Sequence, residues 1–183
     1  MKRIIALSAI GFDRPGIVAG LAEVFYELGC NLEESSMTRL RRDFAVILLV
    51  SIPDDMTLNR LHEKLQPVVS DFKLTLNIRE LNADEMSLST SVTEPNHILS
   101  IYGIDKPGIV YLVSELLAKN NINITDLETQ VSEHEQKHLY ALILEITIPE
   151  DVSIKRLTAD LKNLGERLSV DVSIEPLYSC EDM

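Results

Sequence analysis

The sequence predicts an α+β protein made of two tandem βαββαβ units. Three observations predict it. The octapeptide Gly11-Phe12-Asp13-Arg14-Pro15-Gly16-Ile17-Val18 returns 92 residues later as Gly103-Ile104-Asp105-Lys106-Pro107-Gly108-Ile109-Val110. An Asn follows each copy in the same register, Asn31 and Asn123. Around each copy, strand-like and helix-like apolar patterns succeed one another in the same order. A repeat that keeps both its loop and its downstream Asn is a duplicated module. The order strand, helix, strand, strand, helix, strand is that of a split βαβ, or ferredoxin-like, sandwich, with two helices on one face of a four-stranded antiparallel sheet.

In the first unit, Ile4 to Ala9 is an apolar strand. Pro15 to Leu28 is a helix with Ile17, Val18, Leu21, Val24, Phe25 and Leu28 on one side. Pro15 suits its first turn and Gly29 its stop. Asn31 to Leu40 is the second strand. Phe44 to Ile52, nearly all apolar and ended by Pro53, is the third. Thr57 to Val69 is a second helix, with Leu58, Leu61, Leu65 and Val68 at helical spacing. Phe72, Leu74, Leu76 and Ile78 alternate as the fourth strand. The second unit repeats the set, and Ile109, Val110, Val113, Leu116 and Leu117 stay apolar at an offset of 92. After the second strand the offset becomes 96, as in Pro53 with Pro149 and Leu61 with Leu157. Four extra residues therefore fall where a hairpin turn belongs. The units are expected at 1–81 and 97–178, joined by a Ser-, Thr- and acid-rich linker over 82–96. A short tail occupies 179–183. Ala45 to Val50 and Leu139 to Ile148 are apolar on both faces, so their outward face is expected to be buried against another unit or a second chain.

Composition narrows the function. The net charge is −12 over 183 residues, which argues against direct nucleic-acid binding, where Lys and Arg must neutralise phosphates. The run Ile4 to Ile10 after Lys2 and Arg3 is short for a signal peptide, and its counterpart Ile98 to Tyr102 lies inside the chain, so both are read as strands. No run approaches a membrane span. Two cysteines, Cys30 and Cys180, suggest no disulfide framework, and a reducing, cytoplasmic location follows. Cys30 is expected to be a small buried residue just before a strand.

The Asp-Arg-Pro-Gly-Ile-Val turn entering a helix, with an Asn opening the next strand, resembles the ACT domain, and the resemblance covers both units. Two such domains and little else are similar to the glycine-cleavage-system transcriptional repressor family. Asn31-Leu32-Glu33-Glu34-Ser35-Ser36-Met37 and Phe44-Ala45 also resemble that family's first domain. The resemblance implies a regulatory protein, not an enzyme. It implies binding of an amino acid, glycine foremost, at an interface between two such domains. It also implies repression through contact with a DNA-binding regulator, a homo-oligomer, and no cofactor. An alternative is a regulatory or assembly subunit of an amino-acid metabolic enzyme. The implied ligand-binding residues are Gly11, Phe12, Asp13, Arg14, Pro15, Gly16, Ile17, Asn31 and Leu32 in the first unit. In the second they are Gly103, Asp105, Lys106, Pro107, Gly108, Ile109 and Asn123.

The residue types suit that task on physical grounds. A helix N-terminus offers free N–H groups to a carboxylate. Gly16 or Gly108 lets a ligand approach the backbone. Asp13 or Asp105 can accept from an ammonium group, and Asn31 or Asn123 can both donate and accept. Gly11 and Gly103 are expected to leave space at the strand end. Asp-x-Pro-Gly is also a good turn and cap with no ligand. His134-Glu135-Gln136-Lys137-His138 matches the H-E-x-x-H pattern of zinc proteases, but it falls in the expected hairpin, where the helical geometry that chemistry needs is missing. No metal site is assigned to it. Arg39-Leu40-Arg41-Arg42 forms the corresponding turn of the first unit, a solvated tip or a contact for an acidic partner. Gly11 to Gly16 lacks the middle glycine of a dinucleotide fingerprint. The 183 residues leave no room for a catalytic domain beside the two units, so an enzyme is not expected.

Overall fold

A computed structural model describes residues 3–82, 85, 94–134 and 137–177. The chain divides into two compact units, Met1–Ser91 and Val92–Met183. The first runs β1 (Arg3–Phe12), α1 (Ile17–Glu27), β2 (Asn31–Leu40), β3 (Asp43–Ile52), α2 (Leu58–Phe72) and β4 (Thr75–Glu80). The second runs β5 (His97–Ile104), α3 (Ile109–Lys119), β6 (Asn123–His134), β7 (Lys137–Thr147), α4 (Ile154–Leu168) and β8 (Val170–Pro176). The sheets have the orders β2-β3-β1-β4 and β6-β7-β5-β8, antiparallel throughout. Each unit is the predicted ferredoxin-like sandwich.

Alternation builds the inner face of each sheet. Ile5, Leu7 and Ala9 of β1 and Phe44, Val46, Leu48 and Val50 of β3 point into the core. They meet Ile17, Leu21 and Phe25 of α1 and Leu61 and Leu65 of α2, at the three- and four-residue spacing of one helix face. Leu99, Ile101, Leu142, Leu144, Ile109, Val113, Leu117, Leu157 and Leu161 repeat this in the second unit. Burial of each such side chain contributes about 1.5–3 kcal/mol. On the outward face Ala45, Leu49, Ala141 and Ile143 are half-buried, whereas Ile47 and Leu139 stay 57% and 42% exposed. Those apolar positions are what a covering unit or second chain would bury.

Several local expectations are corrected. α1 begins at Ile17 with Gly16 as its cap, so Pro15 stands in the turn before the helix and not in its first turn. α2 runs through Pro67 to Phe72, so Phe72 closes a helix and does not open β4. Lys73, at φ 54°, ends that helix left-handed. Cys30 precedes β2 as expected but is half-buried, its thiol pushed up by burial; Cys180 lies outside the described residues. The four extra residues do not enlarge the hairpin loop. β6 ends two residues later than the counterpart of Leu40, and β7 begins two residues before the counterpart of Asp43. The first hairpin turns through Arg41 and Arg42, and in the second the strands stay paired as far as His134 and Lys137.

The left-handed positions repeat as well. Gly29 and Asn121 end the first helix of each unit, and Lys73 and Ser169 the second. Arg41, at φ 57°, occupies the first hairpin turn, where Gly or Asn is favoured and an arginine costs roughly 1 kcal/mol. Pro67 is a second local expense. It deprives the Glu63 carbonyl of its helical donor, and the second unit has Asn163 at the matching position. Pro67→Ala is expected to stabilise the first unit by about 1–2 kcal/mol, the helical gain being partly offset by a freer unfolded chain. Urea unfolding checks this, and an unchanged midpoint would show that the helix relaxes around the ring at no cost.

Candidate functional site

The loop after β1 is held in shape by its neighbours. The Asp13 N–H donates to the Arg42 carbonyl at 2.8 Å, tying the loop to the β2–β3 turn. The Arg39 guanidinium donates to Asp13 Oδ2 at 3.4 Å, with both side chains more than a third exposed. An open basin of about 390 Å³ lies between the two loops, lined by Phe12, Asp13, Arg14, Arg39, Arg41 and Arg42. In the sequence, Arg39, Arg41 and Arg42 read as a hairpin tip or a contact for an acidic partner, and not as neighbours of the β1–α1 loop. The β1–β3 register, which sets Gly11 opposite Phe44 and Phe12 opposite Asp43, brings that tip to the loop.

Gly16 and Gly108 take φ values of 101° and 98°, which side chains rarely adopt. Neither helix that follows has a side-chain cap, whereas Thr57 and Ser153 cap α2 and α4 by accepting from the Arg60 and Arg156 N–H groups. The first helical bonds of α1 and α3 run from Gly20 to Gly16 and from Leu112 to Gly108. The N–H groups of Ile17, Val18 and Ala19, and of Ile109, Val110 and Tyr111, precede them and carry the positive end of the helix dipole. The side chains of Ile17 and Ile109 are core anchors, each 2% exposed. Pro15 and Pro107 are exposed in the turns.

The strand-end glycines answer to packing. A Cβ at Gly11 would lie 2.7 Å from Leu74 Cδ2, and one at Gly103 would lie 2.7 Å from Val170 Cγ1 and 3.0 Å from Val170 Cα. The space expected for a ligand there is filled by the neighbouring strand. The second loop differs in other ways. Lys106 Nζ donates to the Leu168 carbonyl at 2.9 Å, a cation at a helix C-terminus. Tyr140 replaces Phe44 opposite the glycine, and its phenol is pushed up first by burial and then by the Asp105 charge.

Asn31 and Asn123 stand elsewhere. Asn31 opens β2 opposite Ser51, while Gly11 and Arg39 both face Phe44 at the other end of β3. In the second unit, Asn123 faces Thr147 while Gly103 and Val131 face Tyr140. Eight residues of strand, about 25 Å, therefore separate each Asn from the loop of its own unit. The Asn31 amide donates to Glu33 at 3.1 Å. A bulge follows at Glu33 in β2 and recurs at Thr125 in β6. Leu32 lies with Val18, Met37 and Ala22 along an apolar groove of about 190 Å³ between α1 and β2, a feature the motif gave no sign of.

His134 and Lys137 face each other as the last paired residues of the β6–β7 hairpin, so the H-E-x-x-H string is not helical where it is described; Glu135 and Gln136 lie outside the described residues. Among the described residues no three His, Cys, Asp or Glu gather as a metal site. No described helix is long and apolar enough to cross a membrane.

Comparison with known proteins places this geometry. The ACT domain model matches residues 3–79 and again 97–175. The chain is 25% identical to the glycine cleavage system transcriptional repressor of Escherichia coli, over 99% of this chain and 94% of that protein. It is 35% identical over 79 residues to a UPF0237 protein of Methanopyrus kandleri, covering 43% of this chain and 83% of the relative. A crystal structure of an unknown protein from Galdieria sulphuraria superposes with a TM-score of 0.77 at 24% identity, over 97% of this chain and 100% of that one, which shows a shared fold. With the domain matched twice, over two units of the same topology, the chain belongs to the ACT-domain family.

Proposed function

We propose that this chain is an amino-acid-responsive regulator that senses glycine and represses the glycine cleavage system. It acts through contact with a DNA-binding regulator and not as an enzyme. The similarity to the E. coli repressor from end to end, through both units, is the observation that carries this reading. The chemistry supports it. Each unit offers uncapped N–H groups behind a left-handed glycine for a carboxylate. Each also offers an exposed Asn able to orient an amino acid. Because about 25 Å separates the two within a unit, a ligand touching both takes its loop from one ACT unit and its Asn from another. Such a ligand stabilises the paired arrangement by its differential affinity for it, and a homo-oligomer is one way to supply the pair. The net charge of −12 fits a partner that reads DNA on the repressor's behalf.

Thermal unfolding with each of the twenty amino acids tests the sensing step. Glycine at about a hundredfold over its Kd is expected to stabilise the native state by about 2.7 kcal/mol, which is several degrees for domains of this size. No rise with any amino acid would remove the sensing role. A rise with a different amino acid alone would move the reading toward a regulatory subunit for that pathway.

A further inference from the structure

The basin beside the first loop has a composition that a glycine site does not require. Four arginines line it in a chain whose net charge is −12: Arg14 from the loop after β1, Arg39 from the end of β2, and Arg41 and Arg42 from the β2–β3 turn. Only Arg39 has an ion-pair partner, Asp13, at 3.4 Å. Arg14, Arg41 and Arg42 have none among the described residues. Asp13 is the one carboxylate among the residues that line the basin, and Asp43 stands beside it at the foot of the turn, so the four arginines outnumber these two acids. The backbone bond from Asp13 to Arg42 holds the loop and the turn together. Arg41 keeps its place despite a left-handed φ of 57°. Phe12, 58% exposed, adds an aromatic face to the same basin.

The described counterparts in the second unit differ. Ile104 stands for Phe12, Lys106 is engaged with the Leu168 carbonyl, and Val131, facing Tyr140, occupies the register of Arg39 facing Phe44. The duplication has preserved the fold and diverged in charge at this corner.

We propose that the Arg14–Arg39–Arg41–Arg42 basin of the first unit binds a diphosphate group, free or carried by a nucleotide. Arginine forks match phosphate oxygens bidentately, and a diphosphate concentrates enough negative charge to engage several of them at once. The concavity, about 390 Å³, falls within the size range of small-molecule sites. An acidic peptide spreads single charges along an extended chain and makes poorer use of four arginines gathered around one basin. Phe12 offers a stacking face to a base, so a nucleoside diphosphate gains a contact that pyrophosphate lacks. This goes beyond the glycine-sensing proposal and does not depend on it.

The test is calorimetric titration of the full chain, at about physiological ionic strength, with pyrophosphate, ADP, orthophosphate and a hexaglutamate peptide. The variant Arg41→Asn/Arg42→Ser is titrated in parallel, since Asn tolerates the left-handed turn and its unfolding midpoint reports that the fold is kept. Saturable one-to-one binding of pyrophosphate, stronger than orthophosphate and weakened about tenfold or more in the variant, is the expected result. ADP binding more tightly than pyrophosphate, with the increment lost in Phe12→Ala, assigns the source as a nucleotide. Equal affinity assigns the phosphate group alone. No saturable binding at millimolar ligand, unchanged affinity in the folded variant, or preference for the peptide would overturn the proposal. The glycine response, read separately by thermal unfolding, stands or falls on its own.

Discussion

Gly103→Ala is expected to destabilise the second unit by about 2–3 kcal/mol, and Gly11→Ala the first by only about 1 kcal/mol. The two glycines occupy the same place in the repeat and differ in what faces them. At Gly103 the new methyl would meet Val170 at its Cα as well as at its Cγ1, 3.0 and 2.7 Å away. Val170 is the first residue of β8 and pairs with Gly103 itself, so relief requires strands to part. Its β-branched side chain has little rotamer freedom to yield. At Gly11 the 2.7 Å contact is with the tip of Leu74, which can swing, and the nearest backbone atom is 3.4 Å away. Hydrogen exchange over β5 and β8, compared with β1 and β4, assigns the loss to one unit. Equal losses in the two variants would show that β8 shifts as easily as a leucine side chain turns.

Asn31→Ala is expected to reduce the glycine-induced rise in unfolding temperature at least tenfold in apparent affinity, while changing stability by less than about 0.5 kcal/mol. The side chain is exposed, and among the described residues its amide donates to Glu33, itself exposed. The bond that Ser51 makes here is to the Asn31 main-chain carbonyl, which alanine keeps. Gly16→Val is the poorer probe of the same site. At φ 101° a valine is strained whatever the space, and its Cβ would also press on the Phe72 ring at 3.3 Å. Asn123→Ala, equally exposed, measures whether the second Asn contributes. Calorimetric titration of the three proteins with glycine decides. An unaltered response in both Asn variants would confine recognition to the loops.

Much of this was legible from the chain because the duplication exposed it twice. Ile17, Leu21 and Phe25, with Ile109, Val113 and Leu117, declare one helix face by repetition alone, and the core follows from them. Helix ends were less legible. Lys73, Ser169 and Asn121 adopt the conformation that Gly29 adopts, so residue type does not reveal it, and Phe72 was drawn into the alternation of β4. The spatial logic of the site was hidden for a different reason. Residue spacing gathers Gly11, Gly16 and Asn31 into one motif, but the order β2-β3-β1-β4 makes β1 and β2 run in the same direction. The end of one is therefore remote from the start of the other. Arg39, Arg41 and Arg42 were visible as charges and not as neighbours of Asp13, because only the β1–β3 register joins them.

The lengthened hairpin of the second unit has a consequence for how such modules can change. Its surplus is shared evenly, two residues to each strand, and each arm grows by about 7 Å. A pleated strand alternates sides at every step, so an even increment to each arm leaves every inward residue inward. A single residue added to β7 alone would reverse the facing of the strand residues that lie between it and the turn. Length is thus quantised by parity in these sheets. Insertions shared as one pair per arm pass without penalty to the core, whereas an unpaired one must be absorbed in the turn or by a bulge of the kind already seen at Glu33 and Thr125.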